Sequence, residues 1–435
     1  MHILSAKSLK QKFVVGAFLL FLLALVARFI RQLVMHYGLG SWGVSEFLIN
    51  YQGGFVRRGL MGELLFSFAK FSDINIEVVV KVICCIFYFL LCYFFVRSFL
   101  RKGYPLYILP LCFFLGAFIF SDAWIRKDTM MLCFFIAIVW LYNHRNLSVI
   151  IKIVLINTLS VFMILTHEVF VFFSLPILFV LFIYLFKQRH IGISLCLSFL
   201  SLLPSVVAFL LAVLKHGDQD TAQIIWNSWQ SLYNIDQTNV PFWNSIGAIG
   251  WTSLFAAKYH ITCNFLQIDN GLWSLFIWLI TFPLVYYIAT NALVVFKKTA
   301  SSFTEKDKTN LSIILLFQLF FLIPVFGLLS CDYVRIISYW ICSSFTIFLL
   351  TPQNIIEKIV PYMIISKIEK LNKYMCNILT PTKEIIFLMI LLIGIAEWTF
   401  TMEQLYHSSM LYQILWLLSK PFVIFKGIYL QDFTL

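Results

Sequence analysis

Charge is the property that this chain has least of. Only 12% of its 435 residues are charged, while 61% are hydrophobic. Soluble globular domains carry about 25% charged residues, so this composition excludes an ordinary soluble domain. The ten cysteines form no CxxC pair and no Cys/His cluster with the spacing of a zinc site. The sequence therefore predicts no metal site and points to no cofactor.

The sequence also lacks an internal repeat of fixed period and any segment with the composition of a soluble domain. A cleaved signal peptide is not expected either. The first apolar run, residues 13–30, ends among arginines instead of at a small-residue cleavage site. We therefore interpret residues 1–435 as a single integral membrane domain whose first helix is retained.

Long apolar runs are what the chain has in abundance. A hydrocarbon core of about 30 Å needs about 20 apolar residues in a helix, and runs of that order recur along the whole length. The expected fold is all-α, a polytopic transmembrane helical bundle with 11–12 spans and one large periplasmic loop. The expected spans are 13–34, 76–96, 104–121, 126–143, 148–166, 169–186, 191–214, 271–293, 310–329, 336–351 and 384–401, with 408–428 as a candidate twelfth.

The charges that are present are mostly positive, with 32 Lys and Arg against 20 Asp and Glu. Nucleic-acid binding is one explanation of the net charge of +12. We prefer another, because Lys and Arg accumulate in the cytoplasmic loops of membrane proteins. Lysines before the first span then place the N-terminus in the cytoplasm and the 215–270 loop in the periplasm. The lysine-rich segment 354–378 becomes a cytoplasmic interfacial helix kinked at Pro361.

The basic residues that this rule leaves unexplained gather in the outer connections, beside acidic and aromatic residues. The first connection contains YQGGFVRRGLMGEL (51–64), where a Gly-Gly pair precedes two arginines. Ionisable groups cost about 2.5–3.5 kcal/mol at a helix centre, so clusters near the membrane are usually functional. The candidate catalytic residues are Glu46, His167, Glu168 and Asp332. The candidate substrate-binding residues are Tyr51, Gln52, Arg57, Arg58, Arg126, Lys127 and Arg335.

Each of these features also has a plainer explanation. The glycines fit a simple turn, and the two arginines after them could bind lipid phosphates at the headgroup level. The RKD segment, residues 126–128, could neutralise itself, and His167 with Glu168 could form a self-contained polar pair. Asp332 and Arg335 fit an N-cap acid with a local ion pair. The concentration of all these groups in outer connections is what favours a site.

Arginines and carboxylates at a membrane boundary suit an anionic substrate that is anchored in the membrane. Arg presents fixed donors that bind phosphate oxygens in pairs, and a polyprenyl diphosphate is such a ligand. These groups support glycosyl transfer, in which a carboxylate or imidazole deprotonates an acceptor hydroxyl while arginines stabilise the departing diphosphate. We expect at least one of Arg57 and Arg58 to point into this site, and the other to bind lipid phosphates or Glu63.

The chain resembles bacterial O-antigen and capsule repeat-unit polymerases of the Wzy type. The resemblance rests on the overall architecture and on the segments YQGGFVRRGLMGEL, RKD, THE and DYVR. It implies polymerisation of polyprenyl-diphosphate-linked oligosaccharide repeat units at the periplasmic face of the bacterial inner membrane, with a chain-length regulator as a partner. The chain departs from many such polymerases in having one long periplasmic loop instead of two.

Two other functions remain open. A GT-C type glycosyltransferase using a polyprenyl-phosphate sugar donor carries an acidic residue in its first outer loop, and Glu46 would fill that role. The usual acidic doublet is missing, since residues 44–48 read Val-Ser-Glu-Phe-Leu. A polysaccharide flippase or transporter is the other alternative, although transporters bind substrate near the bilayer midplane and often have two related halves.

Two cysteines, Cys263 and Cys331, are the only ones expected on the oxidising side of the membrane. A disulfide between them would tie the large loop to the connection before the tenth span, provided that their Cα atoms lie within about 7 Å. Two free thiols fit the sequence at least as well.

Overall fold

The computed structural model describes residues 9–72, 74–120, 124–233, 235, 238–263, 271–297, 303–395 and 407–419. Within these ranges the chain is all-α and forms a polytopic bundle, as the sequence predicts. Its helices are α1 (Leu9–Val34), α2 (Trp42–Leu48), α3 (Gly59–Ala69), α4 (Ile76–Lys102), α5 (Ala117–Phe120), α6 (Asp128–Asn143), α7 (Val149–Thr166), α8 (Phe170–Leu185), α9 (Ile191–Leu214), α10 (Gln219–Gln230), α11 (Ser253–Ile261), α12 (Gly271–Val295), α13 (Glu305–Pro324), α14 (Tyr333–Leu350), α15 (Gln353–Ile359), α16 (Tyr362–Ile378), α17 (Lys383–Leu392) and α18 (Met410–Ser419).

Six of the described helices are long and apolar enough to cross a membrane: α1, α4, α7, α9, α13 and α14. Helices α16 and α17 would together supply a seventh span, but they meet at 89°. Five further apolar helices have 10–17 residues: α3, α6, α8, α18 and the 279–295 part of α12. The protein is thus a multi-pass membrane protein in which several of the expected spans are short helices.

The expected span 104–121 is wrong as a helix. Helix α4 ends at Lys102 and is capped by Gly103. The chain then makes a 3₁₀ turn at Leu106–Ile108 and reaches an α-helix only at α5. Pro110 interrupts the segment, and its carbonyl oxygen lies 2.1 Å from where a Cβ on Gly116 would stand. Leu109 to Phe114 are nearly all buried in the bundle. Irregular backbone is tolerated at membrane depth where protein covers it, and hydropathy cannot distinguish such a segment from a spanning helix.

The expected boundaries also change near the C-terminal end of the described chain. The segment 354–378, which was expected to be interfacial, breaks into α15 and α16 at Pro361, so the kink is confirmed. The expected span 384–401 is helical only to Leu392, and residues 396–406 lie outside the described residues. Only α18 represents the candidate span 408–428, because residues 420–435 also lie outside them.

Helix α14 occupies the centre of the bundle. Its apolar window is 83% buried, against 22% for α1, and it packs against α6, α8 and α13. Small side chains such as Ser338, Cys342 and Ser343 are fully buried on it and allow close helix packing. The first turn of α14 carries Arg335, so the central helix brings this cation into the bundle.

The described part of the 215–270 loop is folded against the rest of the protein. Helix α10 packs its buried Trp226 and Trp229 inward, and Trp229 Nε1 donates a hydrogen bond to the carbonyl of Leu48 at 2.6 Å. Trp243, by contrast, is 60% exposed. The loop therefore holds α2 in place, and the two buried indoles are structural groups.

Candidate functional site

The Gly53-Gly54 pair makes the turn that leads to the two arginines. Gly54 has φ +99°, and a Cβ on Gly53 would lie 3.0 Å from the carbonyl oxygen of Thr221 in α10. Two residues after Phe55, the backbone N–H of Arg57 donates to the carbonyl of Lys215 at 2.9 Å. The turn is therefore anchored on the start of the large loop.

Both arginines point at Glu168, in the corner between α7 and α8. Arg58 donates from Nε and Nη2 to the carboxylate at 2.6–3.1 Å. Arg57 approaches the same carboxylate with Nη1 at 3.5 Å, and its buried Nε has no hydrogen-bond partner among the described residues. At least one arginine faces the cluster, as predicted, but the expectation that the other binds Glu63 is wrong, because Arg57 also faces Glu168. Arg58 therefore binds Glu168 through two guanidinium nitrogens, whereas the Nε donor of Arg57 is unused.

Glu46 lies at the centre of the cluster. Its carboxylate is 1% exposed and faces His167 Nε2 at 3.1 Å, Arg126 Nη1 at 3.4 Å and Arg335 Nη2 at 3.8 Å. Gly62 permits this arrangement, because a Cβ there would lie 1.8 Å from the carbonyl oxygen of Ile49, which follows α2. The close approach of α3 to α2 therefore helps to hold Glu46 where the other connections meet.

Arg335 connects two acids on different helices. Its Nε and Nη2 bind both oxygens of Asp128 at 2.6 and 2.7 Å, and its Nη1 binds Asp332 at 2.7 Å. Tyr339, one turn further along α14, also donates to Asp128. Asp128 is fully buried, while the side chain of Asp332 is 29% exposed. Asp332 is therefore the carboxylate of this group that a ligand can reach.

Lys127 joins two backbone segments, the turn that contains Arg58 and the end of α7. Its Nζ donates to the carbonyl of Arg58 and to the carbonyl of Thr166, each at 3.1 Å, and the residue has no exposed surface. It thereby ties the turn before α3 to the end of α7. Sequence reasoning proposes Lys127 as a substrate-binding residue, whereas its observed contacts are with the backbone.

His167 accepts one backbone hydrogen bond and faces Glu46 with its other ring nitrogen. Nδ1 accepts the backbone N–H of Val169 at 3.3 Å, so in the neutral ring Nε2 carries the proton toward Glu46. Burial, assisted by the charge of Arg58, lowers the pKa of His167, which favours this neutral form. Glu168 Oε2 is farther from the ring, at 3.7 Å. The imidazole thus lies 3.1 Å from Glu46 Oε1, although that oxygen has no hydrogen-bond partner among the described residues.

The arginines keep the acids of the site ionised. Burial alone would raise the pKa of Glu46, but Arg335, His167 and Arg126 together hold it well below its usual range. Burial would likewise raise the pKa of Glu168, but nearby cations, chiefly Arg58, hold it well below its usual range. Burial lowers the pKa of Arg57. For Arg58, Glu168 outweighs burial and the pKa rises.

Tyr51 and Gln52 are engaged with Glu63 of α3. The backbone N–H of Tyr51 donates to Glu63 at 2.9 Å, and the Gln52 amide donates to the same carboxylate at 3.0 and 3.2 Å. The two arginines thus leave Glu63 to these neighbours. The Tyr51 hydroxyl is buried without a hydrogen-bond partner among the described residues, and burial raises the pKa of Tyr51 to about 12.

The observed contacts test the plainer explanations of the charged segments that the sequence left open. The RKD segment does not neutralise itself, because Arg126 faces Glu46 and Asp128 binds Arg335. His167 and Glu168 are not a self-contained pair, since each has a closer partner elsewhere. The local Asp332–Arg335 ion pair is present as expected, but it belongs to the larger cluster.

Sequence reasoning gave no site role to two residues of this region. Asp128 is the buried counter-ion of Arg335. Because Asp128 lies at the start of an expected span, the sequence did not indicate this role. His260 lies in the last turn of α11; burial lowers its pKa, and the charges of Asp332, Arg58 and Arg57 also act on it. No motif marks His260 in the sequence, because its position depends on how the large loop folds back.

Cys263 and Cys331, the two cysteines expected on the outer side, are free thiols in the structure. Cys263, which follows α11, interacts with Cys331, which precedes α14, and this interaction lowers the pKa of Cys263 to about 7. The two connections are therefore adjacent, as the disulfide hypothesis requires, although no disulfide joins them.

No group of three or more His, Cys, Asp or Glu side chains among the described residues has the geometry to hold a metal ion. The cluster is instead an array of arginines paired with carboxylates. Within it, Arg57 Nε has no hydrogen-bond partner and the Asp332 side chain is partly exposed. Comparisons with protein-family models, with curated proteins and with solved structures give no match to this chain.

Proposed function

We propose that this protein is a membrane glycosyltransferase that polymerises polyprenyl-diphosphate-linked oligosaccharide repeat units. The proposed setting is the periplasmic face of a bacterial inner membrane, with the N-terminus in the cytoplasm. The observation that carries the proposal is the state of Arg57. Its guanidinium has one contact at 3.5 Å and a buried, unpartnered Nε, and leaving a buried donor unsatisfied costs about 1–3 kcal/mol.

A phosphate group is the chemistry that Arg57 fits. Two phosphate oxygens would accept its planar donors without competing for Glu168, which Arg58 already binds in bidentate fashion. A departing diphosphate accumulates negative charge, so a pre-positioned guanidinium lowers the barrier to its departure. Arg58, Lys127 and Glu168 act as the frame that holds Arg57.

The carboxylates divide into a buried and an accessible group. Glu46 and Asp128 have at most 1% exposed side chain and keep the arginines in place. Asp332 has 29% exposed side chain and can contact an acceptor sugar. The depressed pKa of Asp332, which Arg335 and Arg126 lower against the effect of burial, suits it to bind a sugar hydroxyl more than to carry a proton.

The test is the surface polysaccharide of a strain from which this chain is deleted. Loss of the long-chain ladder on a gel, with a single repeat unit retained, would support polymerisation. Complementation should restore the ladder with the wild-type protein and fail with Arg57→Ala at equal protein level. An unchanged ladder in the deletion strain would overturn the proposal.

One observation favours the GT-C type alternative, which uses a polyprenyl-phosphate sugar donor. Glu46, the acid that this alternative requires in the first outer loop, is the residue on which Arg126, His167 and Arg335 converge. The same deletion strain distinguishes the two. A glycan lacking one sugar, with its chain-length distribution intact, would select the GT-C type function.

A further inference from the structure

Helix α16 is held to the bundle along one narrow side. Of its 17 residues only Ile368 and Asn372, which lie one turn apart, are buried. The Asn372 amide donates to the Ser312 hydroxyl of α13 at 3.0 Å, and its oxygen accepts a hydrogen bond from the Tyr286 hydroxyl of α12 at 2.7 Å. Most of the surface of α16 therefore faces away from the protein.

The outward surface of α16 carries an apolar stripe. Met363, Tyr374 and Ile378 are exposed by 64%, 64% and 68%, and their spacing returns each of them to the same side of a helix with 3.6 residues per turn. Leu371 lies between them on that side and is also exposed. A contiguous exposed apolar surface marks a membrane or protein interaction site, and we call these four residues the α16 stripe.

The charges of α16 are distributed unevenly around the α16 stripe. Lys367 lies one turn after Met363 within the stripe, and Lys370 lies along its border; both lysines are exposed. Glu369, the only acid of the helix, lies on the other side. Apolar residues bordered by lysines are typical of a helix that lies in the interface of an anionic membrane. The lysine stems cover apolar surface there while the ammonium groups reach the phosphates.

The bend after α16 gives this helix a suitable direction. Helix α17 packs against α12 of the bundle and meets α16 at 89°. The Tyr287 hydroxyl of α12 donates to the Leu379 carbonyl at the bend and so fixes it. Leu388 and Leu392, one turn apart on α17, expose further apolar side chains. A right angle of this kind lets α16 lie in the membrane surface while α17 enters the membrane.

We propose that α16 is a docking surface for anionic phospholipids, with the α16 stripe among the acyl chains and with Lys367 and Lys370 on the headgroup phosphates. A bilayer satisfies both parts of the surface at once, because it presents anionic phosphates beside acyl chains. The occupant is the membrane in which the protein is embedded. The inference does not depend on the proposed glycosyl transfer.

The test uses the full-length protein in vesicles that mix phosphatidylcholine with phosphatidylglycerol, in which one lipid or the other has a photoreactive acyl chain. Mass spectrometry of the peptides should find phosphatidylglycerol attached to the α16 stripe in preference to Ser366 and Asn377, which lie on the polar side of the helix. Replacing Lys367 and Lys370 by Gln should lower the ratio of phosphatidylglycerol to phosphatidylcholine label about fivefold for each lysine removed. High salt should reduce the same ratio in the wild type.

Lys373→Gln is the matched control. Lys373 is an exposed lysine of the same helix, but it lies on the side away from the α16 stripe. Because the attraction to an anionic surface falls off with distance, this substitution should change the label ratio much less than Lys367→Gln does.

Equal label from the two lipids, unchanged by Lys367→Gln and Lys370→Gln, would mean that α16 has no preference for anionic lipids and would overturn the inference. Absence of lipid label from the α16 stripe would assign this surface to another occupant and would overturn it as well. Neither result bears on the polysaccharide ladder, which tests the proposed function separately.

Discussion

Arg58 and Glu168 lie 110 positions apart in the chain and form a bidentate ion pair with contacts of 2.6–3.1 Å. Arg58 adopts φ +66° in this pair, and no other non-glycine residue of the described chain has a positive φ. The left-handed conformation costs about 1–2 kcal/mol for such a residue. The ion pair and the hydrogen bond from Lys127 to the Arg58 carbonyl offset this strain. Tertiary contacts therefore hold the turn before α3.

Replacing Arg58 by Gly should damage the protein less than replacing it by Ala. Both variants lose the ion pair with Glu168, but only Gly removes the backbone strain. We expect Arg58→Gly to be more stable than Arg58→Ala by about 1 kcal/mol, as measured by thermal or chemical unfolding in detergent. Equal stability of the two variants would mean that the positive φ carries no strain.

Arg57 should matter for activity more than for stability. Its single 3.5 Å contact with Glu168 predicts that Arg57→Ala changes the free energy of unfolding by less than about 1 kcal/mol. A hydrogen bond to a charged group contributes about 1.5–3 kcal/mol, so activity should fall about 10-fold or more. Arg57→Lys should recover only part of it, since Lys lacks the planar fork.

The control for Arg57 is Arg101→Ala, an exposed arginine in the last turn of α4. It should leave both the polysaccharide ladder and the unfolding temperature unchanged. Full activity of Arg57→Ala at normal protein level would show that the arginine only anchors its loop.

Gly62→Ala should disturb the site through the backbone. The new Cβ would overlap the Ile49 carbonyl at 1.8 Å, which forces α3 away from α2 and moves Glu46. Overpacking of this kind costs about 1–3 kcal/mol, and we expect a lower unfolding temperature together with loss of activity. Gly16→Ala in α1, where a Cβ meets nothing within 4 Å, should be neutral or stabilising.

Acid should destabilise the protein partly through Glu168. The folded-state pKa of Glu168 lies well below the ordinary value, so its stabilising contribution is complete above about pH 4.5 and is lost as the pH falls through the depressed folded value. Unfolding temperatures measured from pH 7 to pH 3 should therefore fall less steeply for Glu168→Gln than for the wild type. Parallel curves would show that the arginines do not depress the pKa of Glu168 in the folded protein.

Reporter fusions test the orientation of the bundle. Fusions after Lys102, Gln188 and Lys298 should report the cytoplasm, and a fusion near Asn234 should report the periplasm, because the lysine-rich and arginine-rich connections are retained inside. The inverted pattern would place the arginine cluster in the cytoplasm and would exclude the proposed reaction at the periplasmic face.

The helical class of this protein follows from its sequence alone, because apolar runs of membrane length leave a helix as the structure that satisfies every backbone group. The break at Pro361 follows in the same way, since proline cannot continue the hydrogen-bond ladder. The candidate residues Glu46, Arg57, Arg58, His167 and Glu168 were found because charge is scarce in such a chain. Each of these conclusions depends on local composition.

The partners of those residues were decided only by the tertiary structure. Nothing near Glu168 in the chain indicates that Arg58 binds it, or that Asp128 neutralises Arg335 across 207 positions. The buried irregular segment at 104–121 and the position of His260 depend likewise on packing. Ion pairs and buried loops join segments that are distant in sequence, and hydropathy reports only how apolar a segment is, not which surface covers it.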